Sequence, residues 1–101
     1  MKNVMVSYKL KPECVAENEA LISKVFEQLA RDKPAQLRYG VFKLPDGVSF
    51  VHVAESARSG DESPLMKLDA FQRYLAGIKD RVVAPPERVE GQALGYFDGF
   101  A

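Results

Sequence analysis

Several features that would assign this sequence to a specialised class are rare or missing. It has a single cysteine, Cys14, so it cannot form an internal disulfide, and no CxxC or Cys/His cluster provides a zinc site. Lys plus Arg equals Asp plus Glu at 14 each, so the basic excess of a nucleic-acid-binding protein is absent. No apolar run approaches the ~18 residues of a membrane span, and no apolar segment with a cleavage site follows Met1. We therefore expect a cytoplasmic protein that partners neither nucleic acid nor membrane.

What the sequence does contain is enough apolar material for a folded core. Its hydrophobic fraction is 47% and its charged fraction 28%, which is an ordinary globular composition. A length of 101 residues fits one domain spanning 1–101. A domain of this size buries roughly 60–70% of the surface that its unfolded chain exposes. We expect one modest core whose stability gains from association.

Hydrophobic periodicity predicts four strands and two helices. Alternation indicates strands over about 4–10, 37–44, 48–55 and 88–97. Helical spacing indicates one helix from Glu13 to Pro34, and a second from a Ser63-Pro64 start signal to just before Pro85. Asp46-Gly47 supplies the turn between the middle strands. The order β-α-β-β-α-β predicts an α+β, ferredoxin-like fold: a four-stranded antiparallel sheet with both helices on one face.

Neither face of the predicted sheet is plainly polar. In the third strand, one face carries Val48, Phe50, His52 and Ala54, and the other carries Ser49, Val51, Val53 and Glu55. An antiparallel sheet with one solvated face would alternate more cleanly, and two helices can cover only one face. An uncovered apolar face usually marks an interface, and a second copy related by a two-fold axis would cover it. We predict a homodimer through the sheet face; the alternative is a monomer with a semi-polar open sheet, or edge-to-edge association.

The chain resembles a known group in its element order, in the hairpin RYGVFKLPDGVSFVHV and in the segment SPLMKLDAFQRYLAGIKDRVVAPP. On these features, which cover nearly the whole chain, it is similar to the dimeric α/β-barrel group and most of all to its antibiotic-biosynthesis-monooxygenase-like domains. The resemblance implies a homodimer whose two sheets form a barrel, with a pocket in each subunit between sheet and helices. In enzymatic members it implies oxidation of aromatic polyketides or quinols by O₂ without a cofactor.

Two departures from that group bear on the reaction. Its haem-degrading branch uses a Trp and a helix-borne His, whereas this chain has no Trp and one His, on a strand, which disfavours haem degradation. Its cofactor-free monooxygenases commonly use an Asn and a Trp near the site. The only asparagines here are Asn3 and Asn18, one before the first strand and one on the first helix, so that pair is incomplete.

His52 and Arg38 are the predicted catalytic residues. His52 is the only side chain that titrates near neutral pH unperturbed, and its position among apolar residues predicts burial, so it needs a hydrogen-bond partner. Its functional interpretation is a general base or a donor to a substrate oxygen; the plainer one is a structural histidine tied to a neighbouring strand, helix or partner subunit. Arg38 in a pocket would hold a phenolate or carboxylate, and its alternative is an arginine on the surface of an edge strand.

Several aromatic residues are candidate walls for an aromatic ligand. Tyr39 follows Arg38 and must face the opposite way, and Tyr74 lies three residues after Phe71 on the second helix. The predicted substrate-binding residues are Tyr39, Phe42, Phe71, Tyr74 and Tyr96. The alternative is that these rings are ordinary core. No pair of carboxylates has a spacing that selects a metal, so we predict no metal site.

Two functions stay open on the sequence. In the first, a homodimeric, cofactor-independent monooxygenase binds a small aromatic or quinol-like compound, the bound phenolate gives an electron to O₂, and His52 or Arg38 stabilises the anion. In the second, the chain is a non-catalytic ligand-binding or structural dimer, because a shared fold does not fix function. A pocket faced by His52 favours the first, and a filled core with His52 paired to backbone favours the second.

Overall fold

The structure is a computed structural model that describes residues 2–57, 63–95 and 97. Its elements, in chain order, are β1 (Lys2–Lys9), a 3₁₀ turn (Pro12–Cys14), α1 (Val15–Asp32), β2 (Leu37–Lys43), β3 (Ser49–Ser56), a second 3₁₀ turn (Pro64–Lys67), α2 (Asp69–Ala76), α3 (Ile78–Arg81) and β4 (Glu87–Gly91). The strands form one antiparallel sheet in the order β2-β3-β1-β4. This confirms the predicted α+β, ferredoxin-like fold.

The turn between β2 and β3 is fixed by the side chain of Asp46. Its carboxylate accepts hydrogen bonds from the backbone N–H of Val48 at 3.0 Å, and from the backbone N–H and hydroxyl of Ser49 at 2.8 and 2.6 Å. Gly47 has a φ of 78°, a left-handed conformation that glycine adopts without steric cost. The turn sets the register of the hairpin, which pairs Val41 with His52.

One face of the sheet is covered by the helices, and strand register decides which residues it holds. β1 pairs with β3 so that Val6 lies opposite His52 and Tyr8 opposite Phe50. All four therefore point to the same side, where α1 and α2 pack. The most deeply buried core residues on and around this inner face are Tyr8, Leu10, Val25, Phe50, Leu65 and Tyr74. The core thus lies between the inner face and the helices.

The opposite, outer face carries the alternate residues of each strand. It includes the large apolar side chains of Met5, Phe42 and Val89, which are 50%, 53% and 59% exposed. Val51 and Val53 of β3 lie on the same face because Val51 pairs with Phe42, and Val53 with Met5. No helix in the described part of the chain packs on this side. The face therefore carries an exposed apolar group of residues, next to the ion pair of Arg38 with the buried Glu55.

The second helical region differs from its prediction. Instead of one continuous helix, the chain forms the 3₁₀ turn, α2 and α3, interrupted at Leu68, which is extended, and at Gly77. The start signal itself is confirmed, because the Ser63 hydroxyl accepts a hydrogen bond from the Leu65 backbone N–H at 3.3 Å and Pro64 opens the turn. Hydrophobic periodicity depends only on the spacing of apolar residues, so it cannot reveal a single extended residue that interrupts a helix.

The last strand is shorter than predicted. β4 ends at Gly91, and residues 92–95 form no strand. Glycine contributes no side chain to packing, which fits a strand end at this position. None of the helices in the described residues is long and apolar enough to cross a membrane.

Candidate functional site

A cavity of about 340 Å³ lies between the inner face of the sheet and the second helical region. That volume lies at the small end of the range for ligand pockets. Much of its wall is aliphatic, including Val4, Val6, Ala54, Leu65, Leu75 and Ile78. Polar groups converge at one end, where His52 meets Tyr8, Tyr39 and Tyr74. The cavity therefore combines largely apolar walls with a polar cluster around His52, and the charged side chains of Lys2 and Arg88 also line it.

His52 is hydrogen-bonded through both nitrogens of its ring. Nδ1 lies 2.6 Å from the hydroxyl oxygen of Tyr39, and Nε2 lies 2.7 Å from that of Tyr8 and 3.3 Å from that of Tyr74. The two hydroxyls on the Nε2 side also bond each other, Tyr74 donating to Tyr8 at 2.9 Å. Two strands and a helix thus hold one imidazole, and His52 itself is only 5% exposed.

A buried amide and a buried guanidinium extend this network away from the cavity. Asn18 of α1 donates from Nδ2 to the Tyr8 hydroxyl at 3.1 Å. Arg81 of α3 donates from Nε to the Asn18 Oδ1 at 3.0 Å and from Nη2 to the Tyr74 carbonyl at 2.6 Å, and its guanidinium lies 5.4 Å from the centre of the Tyr74 ring. Arg81 is 2% exposed and Asn18 is fully buried.

The guanidinium of Arg81 is a permanent cation that no carboxylate within the described residues pairs with. Burying an unpaired charge is costly unless hydrogen bonds and dipoles replace water. In this structure water is replaced around the guanidinium by the Asn18 amide and by the carbonyl and ring of Tyr74. The charge lies behind the tyrosines, on the side away from the cavity.

Burial sets the protonation states at the polar end of the cavity. It lowers the pKa of His52 from its ordinary 6.5 to about 4, so the imidazole is neutral at pH 7. Loss of solvent likewise raises the pKa of Tyr39, Tyr74 and Tyr8 above the ordinary value for a tyrosine, so all three phenols keep their protons. The resting site is a network of neutral hydrogen-bonding groups beside one buried cation.

Solved structures with the same architecture come from proteins that are distant in sequence. An antibiotic biosynthesis monooxygenase matches with a TM-score of 0.76 at 21% identity, over 94% of this chain and 100% of its own. Rv0793 from Mycobacterium tuberculosis matches with a TM-score of 0.70 at 15% identity, over 94% of this chain and 96% of its own. SnoaB, a cofactor-independent oxygenase from Streptomyces nogalater, matches with a TM-score of 0.67 at 13% identity, over 96% of both chains.

This chain therefore has the same fold as those antibiotic-biosynthesis-monooxygenase-like proteins. That confirms the resemblance drawn from its element order and hairpin. No protein-family model and no curated protein matches the sequence. At these identities, the likeness establishes the fold, and the reaction has to be argued from the cavity.

The structure brings together some of the predicted site residues. Tyr39, Phe71 and Tyr74 line the cavity with His52. The ring of Tyr39 lies 6.2 Å from that of Phe71 in an edge-to-face arrangement, and the ring of Tyr74 lies 5.3 Å from that of His52. Tyr96 lies outside the described residues.

Arg38 and Phe42 are not brought to the cavity. Both belong to the outer face, because they alternate with Tyr39 and Val41 along β2. Arg38 forms an ion pair with Glu55 at 3.1 Å, and Phe42 is exposed on the same face. The pairing of Arg38 with His52 in one catalytic site is therefore not found in this chain.

Sequence reasoning missed Asn18 and Arg81, although a signal for each was present. Asn18 lies three residues after Val15 and seven before Val25, on the apolar stripe of α1. Arg81 continues the stripe of Phe71, Tyr74 and Ile78 at intervals of three or four residues. A polar residue on an apolar stripe must find buried partners, and that requirement points to a network. Within the described residues, no group of His, Cys, Asp or Glu is arranged to hold a metal ion.

Proposed function

We propose that this chain is a cofactor-independent monooxygenase that acts on a small aromatic compound bearing an oxygen substituent. The observation that carries the proposal is the largely apolar cavity in which His52 and Tyr39 form a hydrogen-bonded polar cluster. Apolar walls suit the rings of the ligand, and a few converging polar groups suit one oxygen. Solved structures of the same fold include a cofactor-independent oxygenase, which supports this class of reaction.

The cavity offers a means of activating an electron-rich ring. A ligand phenol or enol whose oxygen contacts the Tyr39 hydroxyl would be stabilised as its anion, because a hydrogen bond to a developing negative charge is strong in a dry site. The anion could then give an electron to O₂. In the overall reaction, an activated CH₂ group becomes C=O, one oxygen atom of O₂ enters the product, and the other leaves as water with the two hydrogens. No external reductant is needed.

A second candidate is a ligand-binding protein without catalysis. The pKa of about 4 for His52 favours it, because a general base works best when its pKa lies near the working pH. Both ring nitrogens of His52 are also engaged by tyrosines. With no general base available, the monooxygenase reaction would require a substrate that is acidic enough to lose its proton unaided.

We further propose that the working unit is a homodimer through the outer face. Met5, Phe42 and Val89 expose half or more of their surface there, together with the partly buried valines of β3. A second copy related by a two-fold axis presents the same residues and covers them. The inner face already has its helices, so the cavity stays within each subunit.

Oxygen consumption with anthrone tests the catalytic proposal. Anthrone has an activated CH₂ group and a ketone that becomes an aromatic hydroxyl in its enol form, and its oxidation to anthraquinone consumes one O₂ and releases one water. We expect enzyme-dependent O₂ uptake, with one ¹⁸O atom in the product under ¹⁸O₂. Tyr39→Phe should lower kcat/KM by roughly 100-fold, the range for loss of one oxyanion donor. It should also lower the melting temperature by about 5 to 10 °C, because Nδ1 of the buried His52 loses its hydrogen-bond partner, so activity is measured well below the melting transition.

The two candidates predict different outcomes of this experiment. Binding of anthrone can be measured by calorimetry or by the change in intrinsic tyrosine fluorescence. Saturable binding without O₂ uptake would favour the non-catalytic protein. Uptake that is unchanged in Tyr39→Phe would place the chemistry elsewhere and contradict the proposal.

A further inference from the structure

The hydrogen bonds behind the cavity form a chain with a direction. We propose that Arg81 and Asn18 orient this chain through Tyr8 and His52, so that Tyr39 presents a hydrogen-bond donor to the cavity and the site selects a ligand by its acceptor oxygen, a carbonyl or a phenolate. The ligand part rests on the proposed function. The direction of the chain is a property of the protein alone.

The first link is the orientation of the Asn18 amide. A guanidinium can only donate hydrogen bonds, and Nε of Arg81 lies 3.0 Å from the Asn18 side chain. The atom that faces Arg81 must therefore be the carbonyl oxygen Oδ1. The NH₂ group is then directed to the Tyr8 hydroxyl at 3.1 Å, and it can only donate there.

The second link is the hydroxyl of Tyr8. Its oxygen accepts from Asn18 and from Tyr74, so its own hydrogen goes to Nε2 of His52 at 2.7 Å. If the hydrogen of Tyr8 were instead directed to Tyr74, Tyr74 would donate to Nε2, and Nε2 would again accept. A hydrogen on Nε2 would leave the hydrogen of the Tyr74 hydroxyl without an acceptor among the described residues, whereas a hydrogen on Nδ1 leaves that of Tyr39 without one. Tyr74 is only 4% exposed and the Tyr39 hydroxyl is only partly buried, so the unsatisfied hydrogen costs less at Tyr39.

The third link follows from the neutrality of His52. A neutral imidazole carries one N–H, and Nε2 is an acceptor, so the hydrogen is on Nδ1. Nδ1–H therefore donates to the Tyr39 hydroxyl oxygen at 2.6 Å. Since His52 is the hydrogen-bond partner of that hydroxyl among the described residues, the hydrogen of Tyr39 is left for the cavity that its side chain lines.

This direction has a consequence for ligand choice. Each donor in the chain is strengthened by the donor behind it, and the cation of Arg81 at the far end polarises all of them the same way. A ligand oxygen that accepts from Tyr39 completes the chain. A ligand that can only donate has access at most to the second lone pair of the Tyr39 oxygen, and it leaves the hydrogen of that hydroxyl unsatisfied.

The direction can be measured without any ligand by ¹⁵N NMR of the histidine ring. His52 is the only histidine, so its two ring nitrogens need no assignment by mutagenesis. In the unmodified protein at pH 7 we expect the protonated nitrogen to be Nδ1. A hydrogen on Nε2 would overturn the proposal, and this measurement does not depend on any variant folding.

Asn18→Asp should reverse the direction of the hydrogen bonds that run from Arg81 to Tyr39. A carboxylate only accepts, so Tyr8 would donate to the new carboxylate, Nε2–H would donate to Tyr8, and Tyr39 would donate to Nδ1. We expect the tautomer to switch to Nε2–H. The matched control is Asn3→Asp on β1, whose side chain is on the outer face and which should leave the tautomer unchanged. An Asn18→Asp variant that folds and keeps Nδ1–H would contradict the proposal.

Two bicyclic probes of similar shape test the ligand part. 1-Indanone can only accept a hydrogen bond through its ketone oxygen, and indole can only donate through N–H. We expect the unmodified protein to bind 1-indanone about 10-fold more tightly than indole, and Asn18→Asp to reverse the order. Equal preference in both proteins would overturn the ligand part. If the tautomer switches and neither probe nor anthrone binds, the direction of the chain is supported and the proposed function is wrong.

Discussion

The two faces of the sheet present similar residue types in very different surroundings. On the inner face, Tyr39 is locked to His52 and the cation of Arg81 lies behind the tyrosines, almost without solvent contact. On the outer face, Arg38 is next to Tyr39 in sequence, yet its side chain is 45% exposed and pairs with Glu55. One step along a strand therefore exchanges a buried hydrogen-bond network for a face with exposed apolar side chains, where the half-exposed Arg38 pairs with the buried Glu55. Strand parity, and not residue type, therefore decides which aromatic and charged groups can act together.

Among the predicted changes, we expect the strongest from a charged substitution on the outer face. Phe42→Asp would place a charge within the proposed dimer interface, on the edge strand β2, where it has no partner, at a cost of several kcal/mol. We expect a dimer that dissociates to a monomer, measured by sedimentation equilibrium. The inner cavity should keep its ligand affinity, because Phe42 is on the other side of the sheet.

Val83→Asp is the matched control for this variant. Val83 is 54% exposed, close to the 53% of Phe42, but it follows α3 and is not part of the sheet. Val83→Asp should leave the protein a dimer by sedimentation equilibrium. If Phe42→Asp had no effect on association, the outer face would not be the interface.

A smaller effect sharpens the description of the inner face. His52 has a folded pKa of about 4 against an unfolded value of 6.5, so its contribution to stability is fully present above pH 6.5 and is lost as the pH falls toward 4. The shift corresponds to about 3 kcal/mol when complete. We expect most of this loss between pH 6.5 and pH 4.5, measured by urea unfolding.

His52→Gln separates this effect from that of the carboxylates, which also titrate near pH 4. The variant is less stable at pH 7, but the difference between parent and variant should shrink as the pH falls. A difference that stays constant from pH 7 to pH 4.5 would mean that the imidazole is not held neutral by its surroundings.

The smallest effect concerns the packing of the buried guanidinium. A Cβ at Gly77 would lie 2.8 Å from Nη1 of Arg81, and Arg81 cannot move aside easily because Asn18 and the Tyr74 carbonyl hold it. We expect Gly77→Ala to lower the free energy of unfolding by about 1 to 2 kcal/mol, as overpacking of a core does. Gly91→Ala is the control, because a Cβ there meets nothing within 4 Å. Equal stabilities for both variants would show that Arg81 has room to shift.

Strong local patterns made much of the fold predictable. Alternation in 37–55 with Asp46-Gly47 between the strands gave the hairpin, and the polar start signal at Ser63 gave the beginning of the second helical region. The breaks at Leu68 and Gly77 were not predictable, because apolar spacing continues through both. A single extended residue depends on tertiary packing, which local propensity does not contain.

The candidate site was predictable only in part. His52 was identified because it is a lone titratable group among apolar residues, and Tyr39, Phe71 and Tyr74 were identified because they are aromatic. Arg38 and Phe42 were wrongly placed in the predicted site because alternation along a strand does not indicate which of its two faces packs against the helices. Asn18 and Arg81 are 63 positions apart, and only the packing of α1 against the second helical region brings them together.

The place of β1 in the middle of the sheet has a consequence for the order of folding. β1 pairs with β3, which begins 40 residues after β1 ends, and with β4, which begins after residue 86. The hairpin of β2 and β3 closes locally and can form early. Pairing of β1 with either of its partners closes a long loop, which is entropically costly and slower. During synthesis, the first strand made therefore keeps an unpaired edge until the last strand emerges, and that edge is the one exposed to pairing with another nascent chain.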